Sequence, residues 1–119
     1  MPRRDLRLFL TDILEAIDKV ERYTASLSFE AFEGNDMAVD AVVRNLEIIG
    51  EAARQISPNV RERYAGIDWV AVVGFRNIVI HEYFDVDVDI VWTIATQRLA
   101  QLQGVVQQIL EDMTEEAEK

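Results

Sequence analysis

From Leu6 the apolar positions Leu6, Leu10, Ile13, Ile17, Val20, Thr24 and Leu27 recur at alternating spacings of four and three, with acidic and basic residues between them. Only one face of an α-helix repeats that way, since a strand would alternate every second residue. The same rhythm returns in Val88, Trp92, Ala95, Leu99, Leu102, Val106, Ile109 and Met113. Between these two stretches, Val39, Val42, Leu46, Ile49, Ala53 and Ile56 form a third stripe, widened by Ala38, Ala41, Ile48 and Ala52. So broad an apolar face implies burial on two sides. The chain is therefore expected to be all-α, an up-and-down bundle of four main helices near 5–30, 36–56, 67–82 and 88–113 with short connecting helices.

The punctuation agrees. Gly34 and Asn35 supply a stop and then a cap, and Phe29 and Phe32 should pin that connector to the core. Ser57 and Pro58 suit the start of a short turn of helix that Gly66 closes. Residues 67–84 are the ambiguous part, because Val70, Val72, Val73, Ile78, Val79 and Ile80 are β-branched. A helix capped by Asp68 is expected there, since a lone strand would have no sheet to join. Gly74 is expected to let another backbone come close. No repeat, linker or low-complexity tract divides the 119 residues, which read as a single domain over 1–119.

Composition narrows the chemistry. No cysteine is present, so disulfides and thiolate metal sites are excluded and a reducing, cytoplasmic location is expected. The opening residues lack the apolar core of a signal peptide, and no apolar run approaches the roughly 20 residues of a membrane span. Net charge is −10, a poor global footprint for nucleic acid, so any RNA contact must rest on local patches. Arg3, Arg4 and Arg7 form one candidate patch, and Arg54, Arg61 and Arg63 another, although solvated helix faces explain both. Asp85, Asp87 and Asp89 resemble the opening of a calcium loop, but Ile90 stands where glycine is needed and Thr96 where glutamate is needed. Glu47 and Glu51, which could hold Mg²⁺, read more simply as a solvated face beside Arg44 and Arg54. There is no phosphate-binding glycine loop, no paired-histidine zinc motif and no nucleophile elbow.

What stands out is Phe75-Arg76-Asn77-Ile78-Val79-Ile80-His81-Glu82-Tyr83-Phe84, which contains the one histidine of the chain. On a helix Arg76 falls on the stripe of Trp69, Val73 and Ile80, while Asn77 and His81 lie on the stripe beside it. A charge among apolar residues needs a partner, so the run is either a candidate site or a structural arrangement. In the structural case, His81 would bond a backbone carbonyl and Arg76 would pair with Glu82 or Asp85. Residue chemistry alone leaves both open.

Arg76-Asn77-x3-His81-Glu82-Tyr83-Phe84, with Trp69 before it, Trp92 after it and the segment Leu46-Glu47-Ile48-Ile49-Gly50-Glu51-Ala52, resembles the HepT-like ribonuclease toxins of the HEPN superfamily. The likeness covers most of the chain. It implies a homodimer, with the third helix near the two-fold axis, in which two Arg76/His81 pairs share one cleft. The implied activity is that of a metal-independent endoribonuclease toxin of a type VII-like toxin–antitoxin system. Cleavage by the ribose 2′-hydroxyl would leave a 2′,3′-cyclic phosphate, with Arg76 and His81 catalytic and Asn77 supporting them. Tyr83 would be the hydroxyl that a minimal nucleotidyltransferase antitoxin adenylylates. The chain itself needs no cofactor in this reading, since ATP is the partner's substrate, and neither DNA nor membrane is an expected partner. Two other readings are a catalytically silent HEPN module that binds a nucleotidyltransferase or a nucleotide, and a plain helical dimer with no site.

Overall fold

The computed structural model describes residues 3–77 and 87–118, and those residues are all-α with no strand among them. The first stripe becomes α1 (Arg3–Thr24), whose Leu10, Ile13, Ile17 and Val20 are completely buried. It was expected to run to residue 30 but stops at Thr24, because Ser28 starts a separate short helix, α2 (Phe29–Glu33), by accepting a hydrogen bond from the Ala31 amide at 3.1 Å. Buried Thr24 returns its hydroxyl to the Val20 carbonyl at 2.9 Å. Phe32, fully buried, tilts against Trp92 at 5.0 Å between ring centroids, and Phe29 meets the same indole edge-on at 6.1 Å. The two phenylalanines thus pin the connector as the sequence suggested.

Asn35 caps α3 (Asp36–Arg54) by accepting from the Ala38 amide at 3.1 Å. This helix is the centre of the fold: α1 packs along it, and so do the later elements that carry Arg76. Pro58 opens α4 (Pro58–Arg63) at its first turn, while the Ser57 side chain makes no capping bond. The end of α3 is satisfied from outside, because the Arg61 guanidinium donates to the Ala53 and Arg54 carbonyls at 2.9 and 3.0 Å. Arg63 pairs with Glu116 and Arg54 with Glu51, so each arginine of the middle cluster already has a protein partner.

Asp68 caps α5 (Trp69–Gly74), accepting from the Ala71 amide at 3.1 Å, and the chain then tightens into a 3₁₀ turn over Phe75–Asn77. The β-branched run is helical as far as it is described, and the rest of the helix expected over 67–82 lies outside the described residues. Asp87 caps α6 (Val88–Thr93), which passes through a π turn, Ile94–Arg98, into α7 (Leu99–Glu118). The last helix therefore starts where expected and runs further, and the wider π turn shifts its buried face. Val91 is fully enclosed before the turn while Val88 and Trp92 are half-buried, yet Leu99, Leu102, Val106 and Ile109 are all enclosed after it. Among the described residues no helix is long and apolar enough to cross a membrane.

Two hydrogen bonds tie the connection after α4 in place. The Trp69 indole donates to the Tyr64 carbonyl at 2.9 Å, and the Tyr64 hydroxyl donates to Asp112 Oδ2 of α7 at 2.5 Å. Burial, and then the Asp112 carboxylate, push the Tyr64 phenol up to about 12, while the same bond, helped by Gln108, holds Asp112 below its usual range. Since the folded state keeps the Tyr64 proton above the unfolded value of 10.0, this contribution is full below that pH and is lost as pH rises toward about 12. Denaturant titrations between pH 8 and pH 12 should therefore show this contribution level up to about pH 10 and falling from there toward pH 12. In Tyr64→Phe the component disappears, at a cost of about 0.5–1.5 kcal/mol near neutral pH.

Candidate functional site

Arg76 owes its place to a contact between backbones. A Cβ built on Gly50, in the middle of α3, would lie 2.6 Å from the Arg76 nitrogen, 2.9 Å from the Val73 carbonyl oxygen and 3.2 Å from the Arg76 Cβ. Only glycine permits this approach. Among the described residues no backbone comes close to Gly74, where a Cβ would meet no atom within 4 Å; the close approach they show is at Gly50. A signal for it exists in the sequence, because glycine inside a helix costs about 1 kcal/mol relative to alanine and so points to a packing reason.

The next residue of α3 takes hold of the side chain. Arg76 Nη1 donates to Glu51 Oε2 at 3.2 Å, and the other carboxylate oxygen, Oε1, accepts from Arg54 Nη1 at 3.1 Å. The Arg76 side chain is 35% exposed and that of Glu51 51%. The hydrogen bond from Arg76 is the main reason the Glu51 carboxyl is held below its usual range; desolvation works against it and Arg54 assists. Arg76 Nε is buried without a hydrogen-bond partner among the described residues. Among the described residues the acid that answers Arg76 is Glu51, 25 residues earlier; Glu82 and Asp85, the acids of the structural reading, lie outside the described residues.

Beside Arg76 runs a groove of about 480 Å³ between α1 and α3, lined by Phe9, Asp12, Arg44, Glu47 and Glu51 among others. Arg44 is exposed and has no ion-pair partner among the described residues. Half-buried Asn77 follows Arg76 in the 3₁₀ turn. His81 and Tyr83 lie outside the described residues, so of the four expected site residues the structure places Arg76 and Asn77. Among the described residues no group of three or more acidic or histidine side chains is arranged to hold a metal.

The sequence model of the family described as ribonuclease HepT-like matches residues 13–109. The chain belongs to the HepT-like ribonuclease family. A candidate RNase of Methanocaldococcus jannaschii is 39% identical over 107 residues, which are 90% of this chain and 98% of the relative. A protein of Thermococcus cleftensis named "Probable ribonuclease HepT" is 35% identical over 102 residues, 86% of this chain and 93% of its own. A candidate RNase of Caldanaerobacter subterraneus subsp. tengcongensis is 33% identical over 105 residues, covering 88% of this chain and 94% of that one. No solved structure matches the chain. Within this HepT-like chain the matched span contains Gly50, Glu51 and Arg76, which the fold brings together from two elements.

Gly50→Ala gives a direct test of the contact. Better helix propensity contributes about 1 kcal/mol, but the new methyl group meets backbone atoms, and overpacking of that kind costs about 1–3 kcal/mol or more. Urea unfolding should show a net loss on the order of 1–2 kcal/mol. An unchanged or raised midpoint would mean that the turn yields without cost.

Proposed function

We propose that this chain is a metal-independent endoribonuclease, the toxin of a toxin–antitoxin pair, with its site built around Arg76 and His81. The observation that carries the reading is Arg76 itself: in a member of the HepT-like ribonuclease family, a guanidinium seated by Gly50 and Glu51 at the edge of a groove. Planar and permanently charged, it suits two oxygens of a scissile phosphate and the charge that grows on them in the transition state. The nucleophile in this reading is the adjacent ribose 2′-hydroxyl, which forms a bond to phosphorus as the 5′-oxygen leaves. One product end is then a 2′,3′-cyclic phosphate. A base must take the proton from the 2′-hydroxyl and an acid must give one to the leaving oxygen.

One chain has one histidine, so a homodimer that faces two His81 side chains across a cleft supplies both roles. A surface suited to pairing is present. Val70, 82% exposed, shares a helix face with Gly74, and Gly74 lines a cavity of about 460 Å³ together with Ala71, Phe75 and Ile90, itself 52% exposed. Asn77 supports the pair. Tyr83, two residues beyond His81, is the hydroxyl that a minimal nucleotidyltransferase antitoxin would adenylylate with ATP; phosphate added there would compete with RNA for Arg76. The absence of cysteine fits a cytoplasmic site of action.

Mixed-sequence RNA incubated with the purified protein in excess chelator should be cleaved and should yield cyclic phosphate ends. His81→Ala should lose about 10²–10⁴-fold in rate, and Arg76→Lys should fail as well, because an ammonium cannot reproduce the planar fork. Sedimentation should show a dimer at micromolar concentration. Cleavage that stops on chelation, or persists in His81→Ala, would overturn the mechanism. No cleavage at all, combined with stable capture of a nucleotidyltransferase, would favour the silent binding module.

A further inference from the structure

We infer that Glu51 is a positioning residue of the ribonuclease site, acting on phosphate only through the Arg76 guanidinium. The inference rests on the ribonuclease reading and adds to it the residue that aims its arginine. The Gly50 contact fixes the backbone of Arg76, but beyond the Cβ an arginine side chain has several rotatable bonds and would sample many directions. Glu51 restricts that freedom. Its Oε2 takes one N–H of Nη1 at 3.2 Å, and its other oxygen is held by Arg54 at 3.1 Å, so the carboxylate is fixed from two sides.

The donors left over suit a phosphate. Arg76 Nε is buried and cannot reach a ligand in the groove, which leaves the terminal nitrogens as the grip. With one N–H of Nη1 engaged, the second N–H of Nη1 and both on Nη2 remain available. Nor does the carboxylate cancel the charge that the site needs. Glu51 stands between two guanidiniums, so the trio keeps a net positive charge toward an anion. Exposed ion pairs add little to stability, and at this exposure the pair is better explained by orientation than by strength.

Kinetics on mixed-sequence single-stranded RNA separate aim from attraction. Glu51→Ala leaves both arginines and raises the local positive charge, so KM should change by less than about threefold while kcat falls by about tenfold or more. Glu51→Gln keeps an oxygen in place for Nη1 and should bring kcat back to within about threefold of the parent. Combined with Arg76→Lys, Glu51→Ala should cause no further loss, because the group it aims is already altered. Thermal unfolding of each variant identifies a folding defect: a kcat loss in Glu51→Ala that tracks a lowered midpoint and is not restored by glutamine overturns the inference. So does an unchanged kcat, or a raised one, which would make Glu51 a mask over Arg76. A parent protein that cleaves while Glu51→Ala matches it refutes the positioning role alone, whereas a parent with no activity refutes the ribonuclease reading and this role with it.

Discussion

The backbone of the 3₁₀ turn at Phe75–Asn77 rests directly on α3 because position 50 has no side chain. Much of the molecule can be understood as support for that contact. Both partners must be held rigidly, since a gap of a few tenths of an ångström would forfeit the packing and a closer approach would clash. On one side α3 packs against α1, and its Leu46, Ile49 and Ala53 are fully buried. On the other, α5 starts from a fixed point, because the Trp69 indole is bonded to the Tyr64 carbonyl and Tyr64 is bonded to α7. A distant helix therefore helps to define where Arg76 begins.

Much of this was legible in the sequence. The four-and-three spacing marked the long helices, Asn35 marked the start of α3, and Pro58 and Asp68 marked the starts of the short α4 and α5, because caps and periodicity act locally. The errors came where a tertiary effect decides. Thr24 ends α1 although the apolar rhythm continues to Leu27, since the Ser28 cap and the burial of Phe32 favour a new helix. The π turn left no mark on the apolar spacing, because it changes which face is buried while the residues on either side stay apolar.

The site was legible in part. Arg76 announced itself as a charge on an apolar stripe. The partner it has among the described residues did not, because Glu51 lies 25 residues away on another helix and no local spacing links the two. Glu51 looked like half of an ordinary solvated pair, and nothing in its local spacing distinguishes it from Glu47. Gly74 and Gly50 both sit within apolar helical runs, and only the packing of two elements reveals which of them is the contact.

The π turn at Ile94–Arg98 gives the last helix a property that a uniform one would lack. Each residue added to or removed from an α-helix rotates everything beyond it by about 100°. A wide turn absorbs one extra residue and so acts as an angular offset between two halves of a continuous rod. The first half keeps Trp92 against Phe29 and Phe32, while the second carries Asp112 to Tyr64. Neither aim has to be compromised for the other. A single rod can thus serve two docking directions, and the hinge between them is set by chain length alone.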